Sequence, residues 1–270
     1  MNIHSTNHQS THSATHKNNQ NNKNIRLALF WAILGGFGTL AGFPYILSLM
    51  SPSTTPPVPL PILAIAGAIQ SAVLMFFLSW IGLRLGQSLG LDTPFARAFV
   101  YGAKLPKVSK IGLRLSLVSG ILGGAILVVL ALLFQPLMPQ TSTSTSLKID
   151  LWKRLLAAFY GGITEEILLR LFLMTLIAWL LWKGGMKTKN HPTKLAFWIA
   201  ITVAAFIFAI AHLPVATSIW TLTPIVVIRT ILLNSTLGIV FGYLYWRWGL
   251  EYAIFSHFLA GLVLHGIGGS

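Results

Sequence analysis

The 270-residue chain contains no cysteine, which excludes disulfides and thiolate chemistry. Acid is almost as scarce: 5 Asp and Glu stand against 19 Lys and Arg. Charged residues make up only 9% of the chain and hydrophobic residues 54%, where an ordinary soluble domain carries about 25% charge. These shortages exclude a soluble globular enzyme and a disordered protein, and leave a multi-span helical membrane protein. The HExxH helix, the GxSxG elbow, the GxGxxG turn and the P-loop are also missing. A formal net charge of +14 would suggest nucleic acid in a soluble protein. Here the basic residues fall in short loops between apolar runs, which is the signature of membrane orientation, and no nucleic-acid partner is expected.

Seven apolar stretches are each long enough to approach the ~20 residues that cross a bilayer. They lie near Ile25–Leu49, Pro61–Leu83, Leu115–Leu137, Trp152–Trp182, Leu195–Leu213, Pro224–Trp246 and Leu250–Ile267. The expected fold is an all-α, multi-pass bundle of about 7–8 spans with a polar cavity inside the membrane. Residues 1–24 form a polar, low-complexity tail expected to be disordered, and residues 25–270 one transmembrane domain. His4, His8, His12 and His16 recur in that tail at a spacing that would share a helix face and could bind a metal, although its Asn, Ser and Thr are poor helix formers. The Pro-rich stretch Ser51–Pro61 reads as a turn, and the basic segment Leu91–Lys110 as lying on the membrane surface. With seven spans, 14 Lys and Arg fall on one side and 3 on the other. This places the N-terminus in the cytoplasm of an integral membrane protein, expected in a bacterial inner membrane. Gly35, Gly36 and Gly38, then Gly120, Gly123 and Gly124, then Gly238 and Gly242, mark tight helix packing.

Ionisable residues inside spans are the costly ones, at least ~2.5 kcal/mol each when charged and unpaired at a helix centre. Glu165, Glu166 and Arg170 sit in one such stretch, Thr-Glu-Glu-Ile-Leu-Leu-Arg. Glu166 and Arg170 are spaced i, i+4 with the acid first, the favourable order for an ion pair. Adjacent helical residues point about 100° apart, so Glu165 is left to face another surface. There a carboxylate in a partly dry cavity can hold or activate a water. His212 ends the fifth stretch just before Pro214, which stops a helix. His257 and His265 lie eight residues apart in the last stretch and share roughly one face. Glu165, His212 and His257, from three helices, could position a water beside a polarised carbonyl. The same three could also bind zinc as two His and one carboxylate, and spacing alone leaves both readings open. Depth gives a conflict: Glu165 and His257 fall in the same half of the membrane, but His212 lies about 27 Å along its helix from Lys194.

At these residues the chain resembles the type II CAAX prenyl endopeptidases and bacteriocin-processing intramembrane proteases, the CPBP or Abi family. The resemblance rests on Glu165-Glu166-Ile-Leu-Leu-Arg170, on Phe208-Ala-Ile-Ala-His212, and on His257 as the start of a third motif, and covers about Leu151–His265. It implies a conical intramembrane cavity and hydrolysis of a peptide or prenylated-protein substrate near its C-terminus. It further implies that Glu165 activates the water, His212 assists and His257 stabilises the oxyanion. Glu166, Arg170, Phe208 and His265 would support them, with no metal required and zinc as the alternative. The pattern departs at Gly261, where the family carries Asn or Asp as an oxyanion donor. That departure leaves a second reading, an inactive relative serving as an immunity or assembly factor. A third, a proton- or cation-coupled transporter, uses only the two glutamates.

Overall fold

The computed structural model describes residues 6–49, 58–139 and 149–267, with the side chains described from Asn24 onward. Helices account for nearly all of it. They are α1 (Thr6–Leu49), α2 (Leu60–Gly86), the short α3 (Pro94–Val100), α4 (Lys110–Phe134), α5 (Leu151–Phe159), α6 (Thr175–Lys183), α7 (Lys194–Ala211), the short α8 (Leu213–Thr217), α9 (Pro224–Trp248) and α10 (Leu250–Ile267). A two-residue antiparallel pair, β1 (Lys187–Thr188) with β2 (His191–Pro192), closes the turn between α6 and α7.

Among the described residues, six helices are long and apolar enough to cross a membrane: Asn24–Leu49, Leu60–Gly86, Lys110–Leu137, Lys194–Thr217, Pro224–Trp248 and Leu250–Ile267. The remaining apolar stretch is helical from Leu151 to Lys183 but is not one regular α-helix. Between α5 and α6 it passes through two π-helical segments, Tyr160–Glu165 and Ile167–Met174. Such widened turns recur at functional sites, and these two flank Glu166.

Helix α1 begins at Thr6, so the backbone after residue 5 is helical where the composition suggested a disordered tail. No Gly or Pro interrupts positions 6–34, and the membrane helix extends back through them. The side chains of the four tail histidines, and most of the Pro-rich turn 51–61, lie outside the described residues.

Small residues set the helix contacts as expected. A methyl added at Gly36 would meet the Ala68 carbonyl of α2 at 3.0 Å, and one at Gly38 the Phe159 carbonyl of α5 at 3.0 Å. Equivalent close approaches hold α4 to α10 at Gly120 and Gly124, and α7 to α9 at Gly238 and Gly242. In a membrane, where lipid is as apolar as leucine, this close packing supplies the association that hydrophobicity cannot. At one end of the bundle Asn24 accepts from Gln87 at 3.0 Å and Trp31 donates to Thr93 at 3.3 Å. There too the Ala96 amide of α3 donates to Glu251 of α10 at 2.8 Å. These bonds tie the middle of α1 to the C-terminal end of α2 and the start of α3, and α3 to the N-terminal turn of α10.

Candidate active site

A cavity of about 840 Å³ opens between the helices. Its walls are mostly Leu, Ile, Ala and Phe, with Glu165, His212 and His257 converging on one side. Glu165 Oε1 lies 4.0 Å from Nε2 of His212, and Oε2 lies 3.8 Å from Nε2 of His257. These separations are too long for direct hydrogen bonds and fit groups that share a water between them.

Each ring is oriented from behind. His212 donates from Nδ1 to the Phe208 carbonyl one turn back at 2.9 Å, while its ring meets Phe208 edge-on. His257 donates from Nδ1 to Glu166 Oε1 at 2.8 Å and stacks on Phe241, centroids 4.5 Å apart. Both Nδ1 atoms are thus occupied, and both Nε2 atoms turn toward Glu165. The hydrogen bond on one ring nitrogen decides what the other can do.

Glu166 and Arg170 do not face the open cavity. Their side chains are 0% and 2% exposed and pair at 2.9 Å. The Arg170 guanidinium also donates to the Gly238 carbonyl at 2.8 Å and lies between the rings of Phe208 and Phe241, at 5.4 and 5.5 Å. The widened helix is secured behind it. Thr175 donates to the Arg170 carbonyl five residues back at 3.1 Å, and its hydroxyl pairs with Tyr245 at 2.9 Å. Arg170 therefore anchors Glu166, and Glu166 orients His257.

The depth expected for His212 conflicted with that of Glu165, yet the structure brings His212 Nε2 to 4.0 Å from Glu165 Oε1. Proline contributes as expected: α7 ends at Ala211, His212 caps it, and Pro214 opens α8.

Other expected residues fall differently. His265 lines the same cavity but stands two turns from His257, against the Tyr45 ring at 5.1 Å. Gly261 lines the cavity too, yet a methyl there would meet Cβ of Ala158 at 3.1 Å and its Cα at 3.2 Å. The absent side chain is thus matched by close packing of α5 on α10, and an Asn at this position would have to displace that contact.

Gly161 was not legible as a site residue. A methyl on it would meet Nε2 of His257 at 3.1 Å and Oε2 of Glu165 at 3.6 Å. Its bare backbone keeps open the space between the carboxylate and the imidazole. Phe241, the stacking partner of His257, was likewise hidden among the apolar residues of α9. The one available signal was the Gly161-Gly162 doublet immediately before the acidic pair.

Zinc can be tested against this donor set. Two imidazoles with free Nε2 atoms and a carboxylate are suitable ligand types, and each ring has the second hydrogen bond typical of a ligating His. Among the described residues, no group of three or more His, Asp or Glu is gathered into a metal site as it stands.

Fold and site together define a multi-pass membrane protein with a carboxylate–imidazole centre inside its bundle. Residues 147–263 match the family described as type II CAAX prenyl endopeptidase Rce1-like. Comparisons with curated proteins and with solved structures gave no match.

Proposed function

We infer that the protein is an intramembrane endopeptidase that hydrolyses a peptide bond near the C-terminus of a membrane-associated, prenylated substrate. The observation that carries this reading is the placement of Glu165. It faces the cavity 3.8–4.0 Å from two imidazole nitrogens whose opposite ring atoms are already held. A water shared by these groups loses a proton to Glu165 as its oxygen attacks the substrate carbonyl. The carbonyl electron pair moves onto oxygen, and His257 donates from Nε2 to that oxyanion while Glu166 holds the ring at Nδ1. The tetrahedral intermediate then collapses and breaks the C–N bond. The leaving amine takes up the proton held by Glu165, with His212 as the relay. One water enters, and a carboxylic acid and an amine leave. No step passes through a metal.

His257 is the oxyanion donor in this scheme because Gly261 offers no side chain. The reading is tested with purified protein in lipid nanodiscs and a farnesylated peptide carrying a quenched fluorophore near its C-terminus. Cleavage that survives a zinc chelator supports the metal-free scheme. Cleavage lost to the chelator and restored by zinc overturns it. Absence of cleavage together with cation-dependent flux into vesicles would favour a transporter instead.

A further inference from the structure

Arg229 stands inside a membrane span, away from the cavity. It is the sixth residue of α9, about 7–8 Å along the helix from Pro224. A cation at that depth is costly without a partner. The chain's 5 acidic side chains are all placed elsewhere. Asp92 holds Arg97, Asp150 holds Lys153, and Glu166 holds Arg170. Glu251 accepts from Ala96 at the other end of the bundle, and Glu165 faces His212 and His257. No carboxylate remains for Arg229.

What surrounds Arg229 is a set of donors. Its guanidinium lies over the Trp220 ring, 4.9 Å from the centroid. Nε of Arg229, Nε1 of Trp220 and Oγ1 of Thr223, the residue before α9, are buried and, among the described residues, have no hydrogen-bond partner. Arginine and tryptophan nitrogens can only donate, so neither satisfies the other, and the cluster lacks an acceptor. Arg84, Lys153, Lys183 and Arg247 also lie over indoles, each near a helix end. None of these four keeps a buried nitrogen without a partner among the described residues.

The missing acceptor can arrive from the lipid side. Arg229 is half-buried, and Leu222, Ile228 and Leu232 near it in the chain are exposed. Ile228 and Leu232 are one turn apart on α9 and continue from Arg229 toward the middle of the span. We propose that Arg229, Trp220 and Thr223 form a site for the phosphate of a membrane phospholipid, with an acyl chain lying along Ile228 and Leu232. A phosphodiester supplies the anionic oxygens that Arg recognises in charge-assisted hydrogen bonds. Its chain covers the apolar strip, which a free phosphate would leave bare. None of the three residues lines the cavity, so the site stands independently of the peptidase reading.

The test uses the full chain, purified in dodecyl maltoside and stripped of lipid, with binding read by native mass spectrometry. The probe is dioleoylphosphatidylglycerol. Dioleoylglycerol, which has the same chains and no phosphate, and inorganic phosphate are the comparison ligands. Wild type should hold one phospholipid, and hold it more tightly than dioleoylglycerol. Arg229→Gln should weaken that binding about 10- to 100-fold, the range of a charge-assisted hydrogen bond. Arg229→Lys keeps the charge without the fork and should fall between the two. Trp220→Phe keeps the ring and loses the N–H, and should weaken binding by a smaller factor. It also carries the test if Arg229→Gln does not fold. Equal phospholipid affinity in wild type and Arg229→Gln overturns the proposal, as does equal binding of dioleoylglycerol and the phospholipid. Displacement of the lipid by equimolar inorganic phosphate overturns it too, because the ligand is then a free anion. A lipid-free thermal midpoint far below wild type in Arg229→Gln, with binding unchanged in Trp220→Phe, shows a structural role and overturns it as well.

Discussion

Two regions of this molecule use acid in opposite ways. At the bundle end, Asp92 clasps Arg97 with both oxygens at 2.7–3.0 Å, and Glu251 accepts the Ala96 amide at 2.8 Å. The first holds α3 to the loop before it, and the second ties α3 to α10. In the cavity, Glu166 is used up in the same manner by Arg170 and His257. Glu165, its sequence neighbour, has no protein hydrogen-bond partner among the described residues and faces two nitrogens just beyond bonding distance. The difference is that each carboxylate tying the bundle together has at least one oxygen bonded to a protein donor, while Glu165 has none and faces the cavity.

The comparison can be broken in order of expected effect. Glu165→Gln keeps the size of the side chain and removes the base, so peptide turnover should fall about 1,000-fold, measured as kcat in nanodiscs. Arg170→Leu leaves Glu166 buried and uncompensated. It should cost about 3–5 kcal/mol of stability, visible as a large drop in thermal midpoint in detergent. Gly161→Ala places a methyl 3.1 Å from Nε2 of His257. Turnover should fall about 10- to 100-fold, or about 1.4–2.8 kcal/mol in barrier, with little change in melting. Gly261→Asn should destabilise by about 1–3 kcal/mol through overpacking on Ala158, and Ala158→Gly should relieve part of that cost. At the bundle end, Glu251→Gln weakens one hydrogen bond to an amide. It should cost about 1 kcal/mol in stability and leave turnover unchanged.

Much of this was legible before any geometry. The apolar runs gave the spans because a bilayer demands length and apolarity and little else. The i, i+4 pairing of Glu166 with Arg170 was legible from helical period, and it left Glu165 over. Three things were not. The π-helical turns around Glu166 come with a bond from the Thr175 hydroxyl to the Arg170 carbonyl five residues back, and the apolar periodicity of the stretch does not announce them. The approach of His212 to Glu165 depends on how α7 packs against the Leu151–Lys183 stretch, which a count of residues along one helix cannot capture. Gly161 and Gly261 both read as gaps, yet one keeps the reaction space open and the other admits a neighbouring helix.

The most direct measurement sets the two adjacent glutamates against each other. Turnover and thermal midpoint are recorded for Glu165→Gln and Glu166→Gln in the same nanodiscs with the same farnesylated peptide. The account predicts that Glu165→Gln abolishes turnover and leaves the midpoint at or above that of wild type. Glu166→Gln should lower the midpoint sharply, because it removes the charge that holds Arg170 and His257. Full turnover in Glu165→Gln, or a midpoint loss there as large as in Glu166→Gln, would contradict the assignment of catalysis to the open carboxylate.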